Sequence, residues 1–483
     1  MSQPPTCKAG GLGVAPPKGA YGVAKAAELR KQDSRQSPSR TATRGGGFRL
    51  SQIVSVSLWG TTIGYLGYPS QEKATAVFEY DPDFLKSGIQ VSPIHLKYPP
   101  SSFTFDQLSY NSFGGVPGFI ADSLPDRYGN QLIDIYMADR HVLPEEITTL
   151  DRLLYVSNRG MGALEYRPGE TLPLQRTALD LQRLSELAEM VLHRKEELHE
   201  RLISTDDRAA ALTVIRVGSS AGGARSKALI ALSSKGTLLD GTVNHGTDYS
   251  YWLLKFDSGA NRDRDKQDPE GMPTVEYVYS LIAARAGIEM PKTKLWIERD
   301  NRHFLIERFD RIIRNGKVEK LHYVSWAGLA HADRDGLNSY EQLVLLIRQM
   351  KLGQDAVTEI FRRAIFNILG RNQDDHTKNT GFLMDKSGRW KLAPAFDLTY
   401  AYDPSGKWTA NHQSMLNRKN NEFLFEDLLN FGKFCDLKES ITRDIIYRVT
   451  EAFGHFTTLA KEYGVPPELR VTIEKNLRLS IVH

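Results

Sequence analysis

Cysteine is nearly absent from this chain: Cys7 and Cys435 are the only two in 483 residues. One lies in a stretch expected to be disordered, so no disulfide framework is implied and a reducing cytoplasm fits. No apolar run approaches the roughly 20 residues that span a bilayer. The N-terminus lacks an apolar h-region, so no secretory signal is expected. The G-x-x-x-x-G-K-[ST] phosphate loop is missing, as are an internal repeat and a second His/Asp cluster at zinc spacing. The folded part also lacks excess positive charge. Residues 1–48 hold eight Lys or Arg against two acids, a balance of +6; the whole chain carries +4, which leaves −2 for the remainder. Bulk charge therefore gives no sign of nucleic-acid binding. What is present is ordinary for a globular protein, 41% hydrophobic and 25% charged, with length enough for two or three domains.

Residues 1–48 are rich in Gly, Pro, Ser, Ala and Arg and would bury too little apolar surface to order; they read as a disordered basic tail. Residues 49–175 read as an α+β module. Ile53–Gly60 alternates as a strand does, Gly64–Gly67 and Ala76–Tyr80 extend a small antiparallel sheet, and Asp81-Pro82 opens a turn or short helix. Asp122 and Asp126 read as helix caps ahead of the periodic stretch Asn130–Met137. Residues 178–202 carry a leucine stripe typical of a core-facing helix.

Residues 176–320 hold the parts suited to a nucleotide. In Ser219-Ser220-Ala221-Gly222-Gly223-Ala224-Arg225-Ser226-Lys227, small residues let backbone N–H groups approach phosphate oxygens, although a plain hairpin turn explains the same pattern. Lys255 sits inside the apolar strand Tyr251–Phe256, where it either snorkels outward or points into a site. Glu276, near the start of the helix at 275–284, is placed either to orient Lys255 or simply to favour the helix dipole. Glu307 and Phe309 end a strand in the cluster Glu307-Arg308-Phe309-Asp310-Arg311, in which Arg308 and Asp310 also suit a structural ion pair.

Residues 321–483 become helical and deliver Arg371-Asn372-Gln373-Asp374-Asp375-His376-Thr377-Lys378-Asn379, followed by Leu392-Ala393-Pro394-Ala395-Phe396-Asp397. A carboxylate, an amide five positions later and a second carboxylate suit phosphoryl transfer, in which one group orients the attacking hydroxyl and two hold a metal on the phosphates. Asp374, Asn379 and Asp397 match those roles in order. Asp374, Asp375 and His376 would otherwise be metal ligands or a structural loop. The chain order of small-residue loop, strand lysine, helix glutamate, base-plus-amide loop and aspartate favours phosphotransfer.

These motifs resemble those of the HipA family of bacterial toxin serine/threonine protein kinases. Asn372–Asn379 with Leu392–Asp397 resembles its catalytic and metal-binding signature, Glu307–Arg311 its hinge, and Phe78–Asp81 with Asp122–Asp126 its N-terminal subdomain, in order over residues 49 to 450. The resemblance implies an α+β, protein kinase-like two-lobed fold with a small N-terminal subdomain and a mostly helical C-terminal lobe. It implies ATP and Mg2+ as cofactors, with Asp374 as catalytic base, Asn379 and Asp397 as metal ligands and Lys255 on the phosphates. Gly222, Gly223, Ala224, Arg225, Ser226 and Lys227 would form the nucleotide loop, and Glu307, Phe309, His376 and Lys378 would complete the nucleotide site. It further implies inactivating autophosphorylation at Ser220, with Ser219 the neighbouring candidate, a HipB-like DNA-binding antitoxin as partner, and a protein target such as an aminoacyl-tRNA synthetase. Arg371, where the family often has glycine, Arg225, Gly223 and Asp375 depart from its pattern; Asp375 would either raise the base's pKa or face solvent. The competing readings are a small-molecule phosphotransferase and a non-catalytic co-repressor.

Overall fold

The computed structural model describes residues 53–70, 73–169, 178–193, 208–218, 225–257, 262–263 and 266–482. It is an α+β structure in which two antiparallel sheets precede a helical half.

The first sheet grows from a hairpin. Strands β1 (Val54–Leu58) and β2 (Thr61–Gly67) pair across Trp59-Gly60, both at positive φ (52° and 86°), the conformation that two-residue hairpins need and glycine supplies without strain. Strands β3 (Val77–Tyr80) and β4 (Ser102–Phe103) extend one edge. Strand β5 (Leu164–Arg167) returns over a hundred residues later to pair with β1, giving the order β4-β3-β2-β1-β5. Local alternation marks β1 to β3, but nothing in four residues announces a partner so distant. Asp81 caps the short helix Pro82–Leu85 with its side chain. Asp126 caps helix α1 (Arg127–Ala138), accepting from Gly129 N–H at 2.9 Å, as the sequence predicts. Asp122 does not cap its own helix; it accepts from Ser325 N–H (2.6 Å) and Oγ–H (2.7 Å), and Ser325 in turn caps a later helix.

The second sheet is the one that carries the site. It runs β9-β10-β8-β6-β7, with β6 at Lys227–Ser233, β7 at Leu238–Asp240, β8 at Tyr249–Lys255, β9 at Thr293–Glu298 and β10 at Asn301–Glu307. Its inner strands β6, β8 and β10 carry apolar runs because both of their faces are covered. One face packs on α1, α2 (Leu181–His193) and α3 (Arg208–Gly218) through Leu184, Ile215, Ile230 and Leu254. The other packs on α4 (Met272–Arg285), buried along most of its length. The leucine stripe after Ala178 thus forms the helix Leu181–His193; the rest of that predicted helix lies outside the described residues.

A third, three-stranded sheet sets His322–Ser325 (β11) beside Gly381–Met384 (β12) and Trp390–Leu392 (β13). Gly381 has no substitute here, because a Cβ would strike the Tyr323 ring on the paired strand. The helical half follows the 3.6-residue spacing of its apolar residues: α5 (Tyr340–Gln349), opened by the Ser339/Gln342 capping box, α6 (Gln354–Leu369), α7 (Phe425–Phe434), α8 (Glu439–Gly454) and α9 (Pro467–Asn476). The C-terminal half of helix α6, Arg363–Leu369, is buried and aims the chain into Arg371–Asn379.

Candidate functional site

The centre of the site is an ammonium shared by two carboxylates. Lys255, the last residue of β8, donates to Glu276 Oε1 at 2.6 Å and also to Asp397 Oδ1. Glu276 reaches it from α4 across the face of the sheet, and Asp397 from the loop after β13. Lys255 is 8% exposed and Glu276 4%, so this pair lies in a medium where charge interactions are strong, while the Asp397 side chain is 36% exposed. Burial alone would depress Lys255, but Asp397 and Glu276 outweigh it and the lysine is held above its usual range. Burial raises Glu276, with Lys255 opposing. Burial also pushes Asp397 up, yet Lys255 and then Lys227 hold it below the usual carboxylate range. Asp397 sits at φ 53°, a left-handed conformation that costs an L-residue about 1 kcal/mol or more and persists where surroundings impose it.

The loop Arg371–Asn379 is built from both sides. Asn372 ties it to α6 through Asn367 Oδ1 (3.0 Å) and to the other loop through Asp397 O (3.3 Å). Arg371 also sits at positive φ, 54°, which is the physical reason glycine suits this position. Its guanidinium compensates by lying 4.2 Å over Tyr402 and donating to Asn476 O at 2.9 Å. Asn379 Nδ2 donates to Asp374 O at 2.7 Å, closing the turn from Asp374 to Asn379. His376 Nδ1 accepts from Lys378 N–H at 3.2 Å and caps the 3-10 turn Thr377–Asn379. Asn379, His376 and Asp397 line one cavity with Asn372, Phe396 and Trp326.

Asp375 does not face solvent, the second of the two readings that the sequence offers. It is 6% exposed and accepts from Tyr340 O–H (2.7 Å), His412 Nδ1 (2.9 Å), Gln413 N–H (2.8 Å) and Ser414 N–H (3.2 Å). Burial would raise it, but His412 and these hydrogen bonds hold it low. It is an anchor for residues 412–414, turned away from solvent.

Two HipA domain profiles match this chain: the HipA N-terminal domain over residues 54–167 and the HipA-like C-terminal domain over residues 219–456. The chain belongs to the HipA family. The HipA of Shewanella oneidensis MR-1, solved in complex with HipB and its operator DNA, superposes with a TM-score of 0.60 over 89% of this chain and 95% of that one, at 17% identity. The Helicobacter pylori proinflammatory kinase CtkA gives a TM-score of 0.37 at 13% identity, over 55% of this chain and 92% of that one. A Haemophilus influenzae protein described as "Putative kinase" is 30% identical over 151 residues; the match spans 28% of this chain and 43% of that relative.

Within this HipA-family fold, most of the residues singled out from the sequence fall into three groups. Lys255, Glu276 and Asp397 touch, and Asn379 and His376 line a cavity with Asp397. Phe309 also belongs here, its ring 5.6 Å from Phe396 beside Asp397. Others also hold partners of their own, and Arg225 lines a second cavity with Lys255 and Glu276. Lys227 donates to Asp126 at 3.0 Å, Arg225 pairs with Asp268, and Glu307 lies 3.8 Å from Lys292. Arg308 and Asp310 do form the buried ion pair, 2.8 Å apart, and Asp310 also accepts from Gly162 N–H at 2.7 Å, locking this corner to the first sheet. Ser219, Ser220, Gly222, Gly223 and Ala224 lie outside the described residues. Sequence reasoning missed Asp126 as the partner of Lys227 and the segment His412–Ser414; no spacing rule links either to the site.

Proposed function

We propose that this HipA-family chain is an ATP- and Mg2+-dependent serine/threonine protein kinase, with the second sheet and the helical half as the two lobes of a kinase-like fold. The observation that carries the reading is the Lys255–Glu276–Asp397 contact set beside Asp374 and Asn379. Phosphoryl transfer asks for a cation on the phosphates, a carboxylate and an amide for metal, and a base for the hydroxyl. Asn379 and Asp397 offer one amide and one carboxylate oxygen set in a shared cleft. That donor set fits Mg2+, which takes few protein ligands and leaves its other positions to phosphate oxygens and water. When bound, the metal would neutralise charge on the phosphoryl oxygens.

The chain's own residues then divide the work. Lys255, fixed by Glu276, is the phosphate cation. Asp374 orients the hydroxyl and takes its proton. Residues 222–227, with Glu307, Phe309, His376 and Lys378, complete the nucleotide site. Ser220, or its neighbour Ser219, is the residue whose autophosphorylation switches the enzyme off. In this reading the enzyme is the growth-inhibiting toxin of a cytoplasmic toxin–antitoxin pair. The Shewanella HipA complex with HipB and operator DNA supports a HipB-like antitoxin as partner, with DNA contacted through it. The target is a protein, such as an aminoacyl-tRNA synthetase. Asp374→Ala is expected to abolish both 32P transfer from [γ-32P]ATP and growth arrest on induction; unchanged transfer by that variant would refute the role.

A further inference from the structure

Asp374 is held by a residue thirty-nine positions away. Gln413 Nε2 donates to Asp374 Oδ1 at 2.5 Å, a short charge-assisted contact. Arg334 Nη2 and His376 Nε2 stand at ion-pair distance from the same oxygen, 3.9 and 3.8 Å. The amide's orientation is dictated by chemistry, since the flipped amide would set its carbonyl oxygen against a carboxylate.

The backbone of Gln413 is fixed independently of its side chain. Its N–H and that of Ser414 both donate to Asp375 Oδ1, Ser414 Oγ–H donates to Asp375 O at 2.5 Å, and Ser414 pairs with Asn338 in a short parallel bridge. Asp375 therefore clamps the 412–414 segment onto the loop, and the side chain of Gln413 is left to act on its neighbour. Adjacent carboxylates thus work as a unit: Asp375 places Gln413, and Gln413 places Asp374.

We propose that Gln413 is a positioning residue for phosphoryl transfer, fixing the carboxylate plane of Asp374 against the substrate hydroxyl. The proposal rests on Asp374 being the base. Because Asp375 holds the backbone of this segment, loss of the side-chain contact is expected to fall on the reaction more than on stability. A base turned from its productive plane costs up to about 100-fold.

The test uses the full-length chain, its first-order autophosphorylation at saturating Mg[γ-32P]ATP, its apparent KM for MgATP, its melting temperature and its pH–rate profile. Gln413→Leu is expected to slow transfer about 10–100-fold, with KM and melting temperature unmoved. Gln413→Glu sets two carboxylates against each other, which raises the pKa of the pair, so the acid limb of the profile moves to higher pH. Wild-type rates in Gln413→Leu overturn the proposal, as does a loss that comes with an equally lowered melting temperature or a raised KM alone. A wild-type chain that transfers no phosphate, with Asp374→Ala as its matched control, overturns the reading of the site and this inference together.

Discussion

Two lysines face each other across β6 and β8, and their surroundings give them opposite characters. Lys227 and Lys255 are register partners in the antiparallel pair, an arrangement in which like charges repel. Each is drawn away by acid, but differently. Lys227 has the Asp126 carboxylate of the first module at 3.0 Å; burial pushes the lysine down and Asp126 up, so desolvation outweighs their attraction. Lys255 has two carboxylates, and together they outweigh burial and hold it charged. The same side chain in the same sheet is thus a structural tie in one strand and a fixed cation in the next. The number of carboxylates that reach it, and from which elements, makes the difference.

Replacing Lys255 with Met should sharpen that contrast most. It removes the cation proposed for the phosphates and leaves Glu276 and Asp397 facing each other. Transfer from [γ-32P]ATP is expected to fall about 10²–10³-fold or more, the scale for deleting one preorganised charge-stabilising group. Lys227→Met should act on stability as well as on the nucleotide site proposed for residues 222–227. It strands Asp126 in a protein interior, a loss of about 3 kcal/mol on the scale for broken buried pairs, read from urea denaturation. The double variant Lys227→Met/Asp126→Asn should recover most of it, since no charge is then left unpaired. A Lys227→Met chain with wild-type stability would break the comparison.

How far the sequence reveals this division depends on whether the partners are local. The strands around Lys255, the helix of Glu276 and the turn from Asp374 to Asn379 follow from period and spacing, because each is specified within ten or fifteen residues. The pairing of β5 with β1, the tie of Lys227 to Asp126 across 101 positions and the clamp of Asp375 on residues 412–414 depend on tertiary placement. A carboxylate beside another in sequence, such as Asp375 beside Asp374, carries no mark of which one the fold will bury. The left-handed backbone at Arg371 was legible only as a departure from glycine; its compensation by Tyr402 and Asn476 comes from α9 and a distant loop.

The contact between the first module and the remainder also carries histidines that burial keeps neutral. His322 is fully buried and its Nε2 lies 3.1 Å from Val91 O; burial lowers it to about 4, with that hydrogen bond opposing. His331, stacked on His95 with ring centroids 4.2 Å apart, accepts from Gly118 N–H and is lowered to about 3 by burial and then by His95. Folded values lie below the unfolded value near 6.5, so the unfolded chain binds more protons as pH falls. Stability is therefore full above pH 6.5 and is lost as pH drops through 6.5 towards 4, by up to about 1.4 kcal/mol per pH unit for each histidine. Denaturation midpoints at pH 7.5 and 5.0 should differ accordingly, and His322→Phe should flatten the slope. An unchanged slope in that variant would remove His322 from the account.

The smallest effect is expected where a lysine pair is exposed. Lys86 Nζ meets Asp83 Oδ1 at 2.8 Å, a better distance than that of Lys227 and Asp126, but both side chains are about three-quarters exposed. Water screens the attraction and each side chain loses rotamer freedom in making it, so such pairs are worth at most a few tenths of a kcal/mol. Lys86→Ala should leave the denaturation midpoint within about 0.5 kcal/mol of wild type, whereas Lys227→Met moves it several-fold further. If the two substitutions cost the same, burial is not what separates these lysines, and the opposed characters of Lys227 and Lys255 would need another cause.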